Sequence, residues 1–148
     1  MAEVYDVAGD QTTTTGLLSV LGITSATTIR PRIIFANLSV TSTPADYMMR
    51  WVLQRYTAAG TATSVVPSPK DPAAPATLAA AGSNHTAEPT YTSAEIKLDT
   101  GLANRNTYPF YCDSAPIILP ATAANGVGFQ VVGSTGGNEA KAFATFEQ

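Results

Sequence analysis

The sequence predicts an all-β protein, and three observations support this. Of the 148 residues, 45% are hydrophobic and only 13% are charged, which is typical of a globular chain with a core. Thr, Ala, Gly and Pro are abundant, and this composition favours strands and turns. Short apolar segments recur about every ten residues between Gly, Pro and Asn signals. The length suits one domain.

The first third of the chain predicts a polar arm followed by two strands. Residues 4–8 have the pattern of a short strand, and a Gly- and Thr-rich break follows, so we expect residues 1–15 to form an N-terminal arm. Residues 16–23 are an apolar run with the length of a buried strand, although periodicity alone also permits a helix. Residues 32–41 alternate, with Ile33 and Phe35 on the more polar face. The apolar face contains Ile34, Ala36, Leu38 and Val40.

Residues 43–57 permit either a helix or a strand. Thr43, Pro44 and Asp46 match a helix N-cap, N1 and N3, with Gly60 as the stop. The same residues suit a type I turn, after which a strand would pair as a hairpin with residues 33–41. The strand would place these residues on one face: Tyr47, Met49, Trp51 and Leu53. We favour the strand, because β-favouring residues continue to position 66, with a bulge at Gly60.

The rest of the chain predicts one long loop and five further strands. Residues 67–89 are rich in Pro and Ala and contain few large apolar side chains, which predicts a long surface loop. The later strands are expected at residues 90–98, 108–112, 117–119, 126–132 and 140–146. Eight or nine strands indicate an antiparallel β-sandwich of jelly-roll type, with residues 16–148 as a single domain.

No grouping of side chains predicts catalysis, a cofactor or a metal site, so we expect a protein that is not an enzyme. His85 is the only histidine and lies among small polar residues, which predicts an exposed loop position. Cys112 is the only cysteine and is expected to be a small core or strand residue. Gly128 is expected to relieve crowding within its strand. The acidic residues are dispersed, although folding could still bring a hydrolytic carboxylate pair together.

Charge and hydropathy limit the partners and the compartment. The net charge of −3 and the scattered Lys and Arg residues argue against a nucleic-acid partner. No stretch approaches the roughly 20 apolar residues of a membrane span, so no membrane partner is expected. The opening residues lack a secretion signal and a single cysteine cannot form an internal disulfide, which predicts production in a reducing cytoplasm.

Four pieces of the sequence resemble small virion proteins of tailed bacteriophages. These pieces are residues 53–63, 67–72, 88–90 and 118–128, within a similar region spanning about residues 50–132. The resemblance implies a jelly-roll capsid decoration, or cement, protein on the virion surface, made in the host bacterial cytoplasm. Proteins of this kind bind the major capsid protein on the outside of the expanded head. They commonly associate with themselves as homotrimers or dimers.

One cluster of residues is the candidate for subunit contacts. Arg50 and Arg55 flank Trp51 and Tyr56, a pattern that suits cation–π stacking or a protein interface, with ordinary strand surface as the simpler interpretation. An alternative function is a carbohydrate- or receptor-binding jelly-roll domain of a phage fibre or tail tip. That alternative predicts a concave aromatic patch that uses Trp51 and Tyr56.

Overall fold

A computed structural model describes residues 2–41, 48–133 and 137–148, and every helix or strand element in these ranges is a strand. Within them, no helix is long and apolar enough to cross a bilayer. The strands are β1 (Val4–Thr12), β2 (Leu18–Thr24), β3 (Arg32–Val40), β4 (Met48–Ala58), β5 (Thr61–Val65), β6 (Ser68–Pro69), β7 (Ala80–Ala87), β8 (Thr90–Ala103), β9 (Tyr108–Tyr111), β10 (Ile117–Ile118), β11 (Gly126–Gly133) and β12 (Glu139–Glu147).

The strands form two antiparallel sheets, in agreement with a β-sandwich, and the predicted all-β class is confirmed. In the first sheet, β9 and β10 both pair with β3, and the order continues through β12 and β1 to β6. The second sheet has the order β5, β7, β2, β11, β4, β8. Strands β1 to β4 therefore alternate between the sheets along the chain.

The hydrophobic core draws its side chains from both sheets. Tyr5 and Phe146 on neighbouring strands of the first sheet stack with ring centroids 5.5 Å apart. Trp51 and Phe129 are the largest side chains that the second sheet contributes to this core. Cys112 is buried in the same core, as predicted, and its thiol lies 3.1 Å from the Ile33 carbonyl oxygen.

The strand interpretation of residues 48–57 is confirmed, but the predicted hairpin with residues 33–41 is wrong. Strand β4 lies in the second sheet between β11 and β8, whereas β3 lies in the first sheet. Both strands carry apolar residues on one face, and opposing these faces across a sandwich buries both of them. The proposed turn or helix start at Thr43 falls within residues 42–47, outside the described residues.

A β-bulge changes the predicted faces of β3. The pairing with β12 passes from Phe35 opposite Thr145 to Ile33 opposite Phe146, so that Ile34 has no partner in this ladder. The extra residue reverses the alternation, and Ile33 is buried in the core while Ile34 is half-buried. The placement of Ile33 on the more polar face was therefore wrong.

The single long loop predicted for residues 67–89 is not confirmed, because β6 and β7 lie within it and only residues 70–79 between them lack a strand. Strand β7 buries Ala81, Ser83 and His85, which are too small or too polar to give a hydrophobic pattern. Between β6 and β7, the Pro75 carbonyl oxygen accepts a hydrogen bond of 2.8 Å from the Tyr5 hydroxyl. This contact ties the connecting segment to the first sheet.

The segment predicted as an N-terminal arm contains β1. All nine residues of β1 pair with β12, and β6 pairs with its other side through Tyr5 and Asp6. Residues 4–12 therefore occupy an interior position of the first sheet.

A long bent ribbon shapes the second sheet. Strands β4 and β5 together pair antiparallel with β8 and β7, and the ladder passes from Ala58 opposite Thr90 to Thr61 opposite Ala87. Gly60 has a φ of 70° at the bend between β4 and β5. Residues 59–60 lie opposite residues 88–89 in the ladder, so neither side has the extra residue of the predicted bulge. Strand β4 also pairs with β11, β11 pairs with β2, and β2 pairs with β7. Together with the ribbon, these pairings close the second sheet into a ring of strands. Nearly every residue of β11 is accordingly buried.

Candidate binding surfaces

The structure separates the four residues predicted as subunit contacts. Trp51 is 1% exposed in the core, and Tyr56 is 2% exposed on the opposite face of β4, inside the ring of the second sheet. Neither aromatic side chain is available to a partner in this conformation. Only Arg50 and Arg55 reach the surface, where they pair with Asp99 and Glu95.

Arg50 forms a bidentate ion pair with Asp99 across the β4–β8 ladder. Its Nε donates to one carboxylate oxygen at 2.8 Å and its Nη2 donates to the other at 2.6 Å. This hydrogen bonding raises the pKa of Arg50 and lowers the pKa of Asp99, so both groups stay charged near neutral pH. The pair is exposed and occupies the Arg50 guanidinium on its own chain.

A cluster of polar side chains, Thr24, Tyr56 and Tyr91, lies within the ring of the second sheet. The Tyr56 hydroxyl lies 2.7 Å from the Thr24 hydroxyl, and burial raises the pKa of Tyr56 to about 12. Burial also raises the pKa of Tyr91, whose ring packs edge-on against Tyr56. Gly128 leaves room for the Tyr91 ring, which a Cβ at position 128 would strike. The predicted role of Gly128 in relieving crowding is confirmed.

Glu88 joins the bend of the ribbon to β2. The Ser19 backbone N–H lies 3.1 and 3.0 Å from the two carboxylate oxygens of Glu88. The Ser19 hydroxyl also donates to Glu88 and is in hydrogen-bond contact with the Tyr91 hydroxyl. Hydrogen bonds to a charged acceptor are stronger than those between neutral groups. We therefore expect the Glu88 carboxylate to hold the segment between β7 and β8 against β2.

His85 does not have the exposed loop position that its neighbours predicted. It lies on β7 with 6% of its surface exposed, beside a cavity of about 170 Å³ that Tyr56 and Thr24 also line. Asn84 has a φ of 50°, which marks a local irregularity of β7 just before His85. Within the described residues, His85 Nδ1 is buried without a hydrogen-bond partner. The polar sequence around His85 gave no signal of this burial.

Replacing His85 by glutamine is expected to change the pH dependence of stability. Burial lowers the pKa of His85, despite the opposing effect of Glu88. The unfolded chain, with a histidine pKa of about 6.5, therefore binds a proton first as the pH falls. The free energy of unfolding of the wild-type protein, relative to His85→Gln, should decrease from pH 7.5 to 5 in urea titrations. Parallel pH profiles of the two proteins would contradict this assignment.

The outward face of the first sheet carries an aromatic surface, defined here as Phe35, Tyr111 and Phe143. The Phe35 ring centroid lies 5.0 Å from that of Tyr111 and 6.2 Å from that of Phe143. Tyr111 is 72% exposed, while the two Phe residues are half-buried. The sequence offered one signal of this surface, since Phe35 occupied the more polar face of an alternating strand.

Polar groups border the aromatic surface. Thr145 pairs with Phe35 in the sheet and donates a hydrogen bond of 2.6 Å to Asp6. Asp6 also forms an ion pair of 2.8 Å with Lys70. Apolar centres with polar rims are typical of surfaces that bind other molecules.

Comparisons with family models, curated proteins and solved structures find no match to this chain. Within residues 2–41, 48–133 and 137–148, no three His, Cys, Asp or Glu side chains are grouped so that they could hold a metal ion. The fold and its surfaces define a two-sheet, all-β protein with an outward-facing aromatic surface.

Proposed function

We propose that this protein is a capsid decoration protein that binds the outer surface of a phage head and stabilises contacts between major capsid subunits. The observation that carries the proposal is the aromatic surface on the first sheet, because exposed aromatic residues are enriched at protein interfaces. The resemblance of residues 50–132 to such proteins supports the same function. The role requires binding and not catalysis.

The order of the strands supports a jelly-roll topology for this role. A jelly roll has eight strands in two sheets, built from two Greek keys. The pairing orders β1, β12, β3, β9 and β2, β11, β4, β8 fit this arrangement. Strands β5, β6 and β7 then form an insertion between β4 and β8, and β10 is an addition at the edge of β3.

Attachment to a head would use many weak contacts at once. A stable interface buries about 800 Å² on each partner, which is more than three aromatic side chains supply alone. Self-association as a homotrimer or dimer would present several aromatic surfaces to neighbouring capsid subunits and raise their effective concentration. The protein would then be located on the virion surface after production in the host cytoplasm.

Analysis of purified phage particles tests this function. Mass spectrometry should find the protein in a fixed ratio to the major capsid protein, and electron cryomicroscopy should place it on the outer head surface. Detection of the protein only at the tail, or its absence from the particles, would rule out the proposal.

Replacing Tyr111 by serine is expected to weaken head binding with little effect on folding. Tyr111 is the most exposed ring of the aromatic surface, and truncation of an interface hot spot costs about 2 kcal/mol or more. Binding to heads that lack the protein should therefore weaken about thirtyfold in a sedimentation assay. Val66→Ser is the matched control, since Val66 is also exposed but lies outside the aromatic surface. Equal binding by Tyr111→Ser and wild-type protein would exclude this surface as the capsid contact.

Carbohydrate binding is the second candidate, and the same surface favours it. The Tyr111 ring packs beside Phe35 and leaves most of its area open, as stacking on a sugar ring requires. The Trp51 and Tyr56 patch expected for this function is buried, so Tyr111 would replace it. Glycan-array binding that Tyr111→Ser abolishes, without binding to heads, would favour a fibre or tail-tip receptor-binding domain over capsid decoration.

A further inference from the structure

We propose that a basic cleft at the edges of the two sheets binds an acidic, extended segment of a partner protein. The basic cleft has a volume of about 480 Å³, and Arg30, Arg55 and Lys97 supply its positive charge. Ile118 and Pro120 form part of its apolar wall. This site is separate from the aromatic surface, and the inference does not depend on capsid binding.

Both sheets contribute to the basic cleft. Arg55 lies on β4 and Lys97 on β8 in the second sheet, whereas Ile118 lies on β10 in the first sheet. Arg30 precedes β3, the strand with which β10 pairs. Arg55 Nη2 donates a hydrogen bond of 2.5 Å to the Ile118 carbonyl oxygen and so links the two sheets across the cleft.

The charges in the basic cleft are not balanced. Glu95 is the acidic partner of two cations, with its carboxylate 2.7 Å from Lys97 Nζ and 3.4 Å from Arg55 Nη1. Among the described residues, Arg30 makes no hydrogen bond or ion pair, and the buried Arg55 Nε has no acceptor. Three cations facing one carboxylate leave a local charge of +2. An added carboxylate could accept hydrogen bonds from the unpaired Arg30 guanidinium.

The surroundings of the cleft favour a protein segment over nucleic acid. The whole chain has a charge of −3, so the part outside the cleft carries −5 and would repel a long polyanion. The wall at Ile118 and Pro120 can instead receive an apolar side chain next to the ligand carboxylate. Strand β8, which forms the cleft edge at Lys97, has 14 residues and pairs on one side with β4 and, among described strands, with no other. An extended peptide can therefore add backbone hydrogen bonds to β8.

Peptide titration of the full-length protein tests the basic cleft. The probe is the capped peptide Ala-Glu-Val-Glu-Ala, its glutamine counterpart Ala-Gln-Val-Gln-Ala is the neutral control, and inorganic phosphate tests for plain anion binding. Amide chemical shifts should change first at Lys97 and Ile118 when the acidic peptide is added. Binding should weaken as the salt concentration rises, because the contacts are electrostatic.

Matched variants separate the cleft from general charge effects. Arg30→Gln removes a cation without breaking a hydrogen bond or ion pair among the described residues, and it should weaken acidic-peptide binding about tenfold, as should Lys97→Gln. Arg50→Gln removes the same charge outside the cleft and should leave the affinity unchanged. Unchanged binding by Arg30→Gln, or equal affinity for the neutral peptide, would overturn the proposal. Phosphate binding as tight as peptide binding would identify only a simple anion site and would also overturn it.

Discussion

Replacing Trp51 by alanine is expected to lower the free energy of unfolding by about 3–5 kcal/mol. Trp51 is 1% exposed and is the largest of the fully buried side chains. Its truncation removes apolar contacts and leaves a cavity that the surrounding strands can fill only in part. Urea denaturation, followed by far-ultraviolet circular dichroism so that the signal does not depend on the tryptophan, measures the loss.

The neighbouring substitution Arg50→Ala is the control for the Trp51 variant. Arg50 is next to Trp51 on β4, and its side chain is exposed, so solvent weakens its ion pair with Asp99. Its removal should therefore change stability little. The assignment of Trp51 to the core would be wrong if Trp51→Ala kept wild-type stability and instead lost self-association. That result would show that Trp51 forms a subunit contact.

Replacing Gly60 by alanine is expected to lower the free energy of unfolding by about 3 kcal/mol. The left-handed backbone at a φ of 70° costs an L-residue about 1–2 kcal/mol. An added Cβ would also strike the backbone of Ala87, Glu88 and Pro89 on the opposite side of the ribbon, and such overpacking costs about 1–3 kcal/mol. Urea denaturation again measures the effect.

Gly137→Ala separates the two contributions at Gly60. Gly137 has a φ of 89°, but a Cβ there would meet no atom of the described residues within 4 Å. Gly137→Ala should therefore lower the free energy of unfolding only through the strain of the left-handed backbone. The additional loss in Gly60→Ala then measures the close contact of the new Cβ with the opposite side of the ribbon. Equal losses would contradict the tight packing of Gly60 against Glu88 and Pro89.

The bend at Gly60 is distinct from the two proposed binding surfaces, the aromatic surface and the basic cleft. The ribbon encloses Tyr56, Tyr91 and His85, and Glu88 fastens it to β2. The aromatic surface and the basic cleft lie outside this enclosure, so substitutions such as Tyr111→Ser and Arg30→Gln can test binding without opening the fold.

Much of the strand pattern was predictable from the sequence. Residues 126–132 and 140–146 were predicted as strands and correspond to β11 and β12, because apolar segments bounded by turn residues are a local signal. Strand β7 escaped prediction because its buried residues include Ala81 and Ser83, whose burial depends on β2 and β5 packing beside them. The bulge at Ile34 was not predicted, because a register shift depends on the partner strand, here β12.

For the candidate binding residues too, the local sequence predicted some features and the tertiary structure decided the others. The residues along the chain favoured a strand carrying Arg50, Trp51, Arg55 and Tyr56 over a helix, since alternation is a property of neighbouring positions. Which of its faces stays open depends on strands from distant parts of the chain, and here both aromatic side chains became buried. Tyr111 joined Phe35, and Arg30 joined Lys97, only through contacts between sheets and strands far apart in sequence. Local patterns carry no information on such pairing, because its free energy arises from surfaces that meet only in the folded protein.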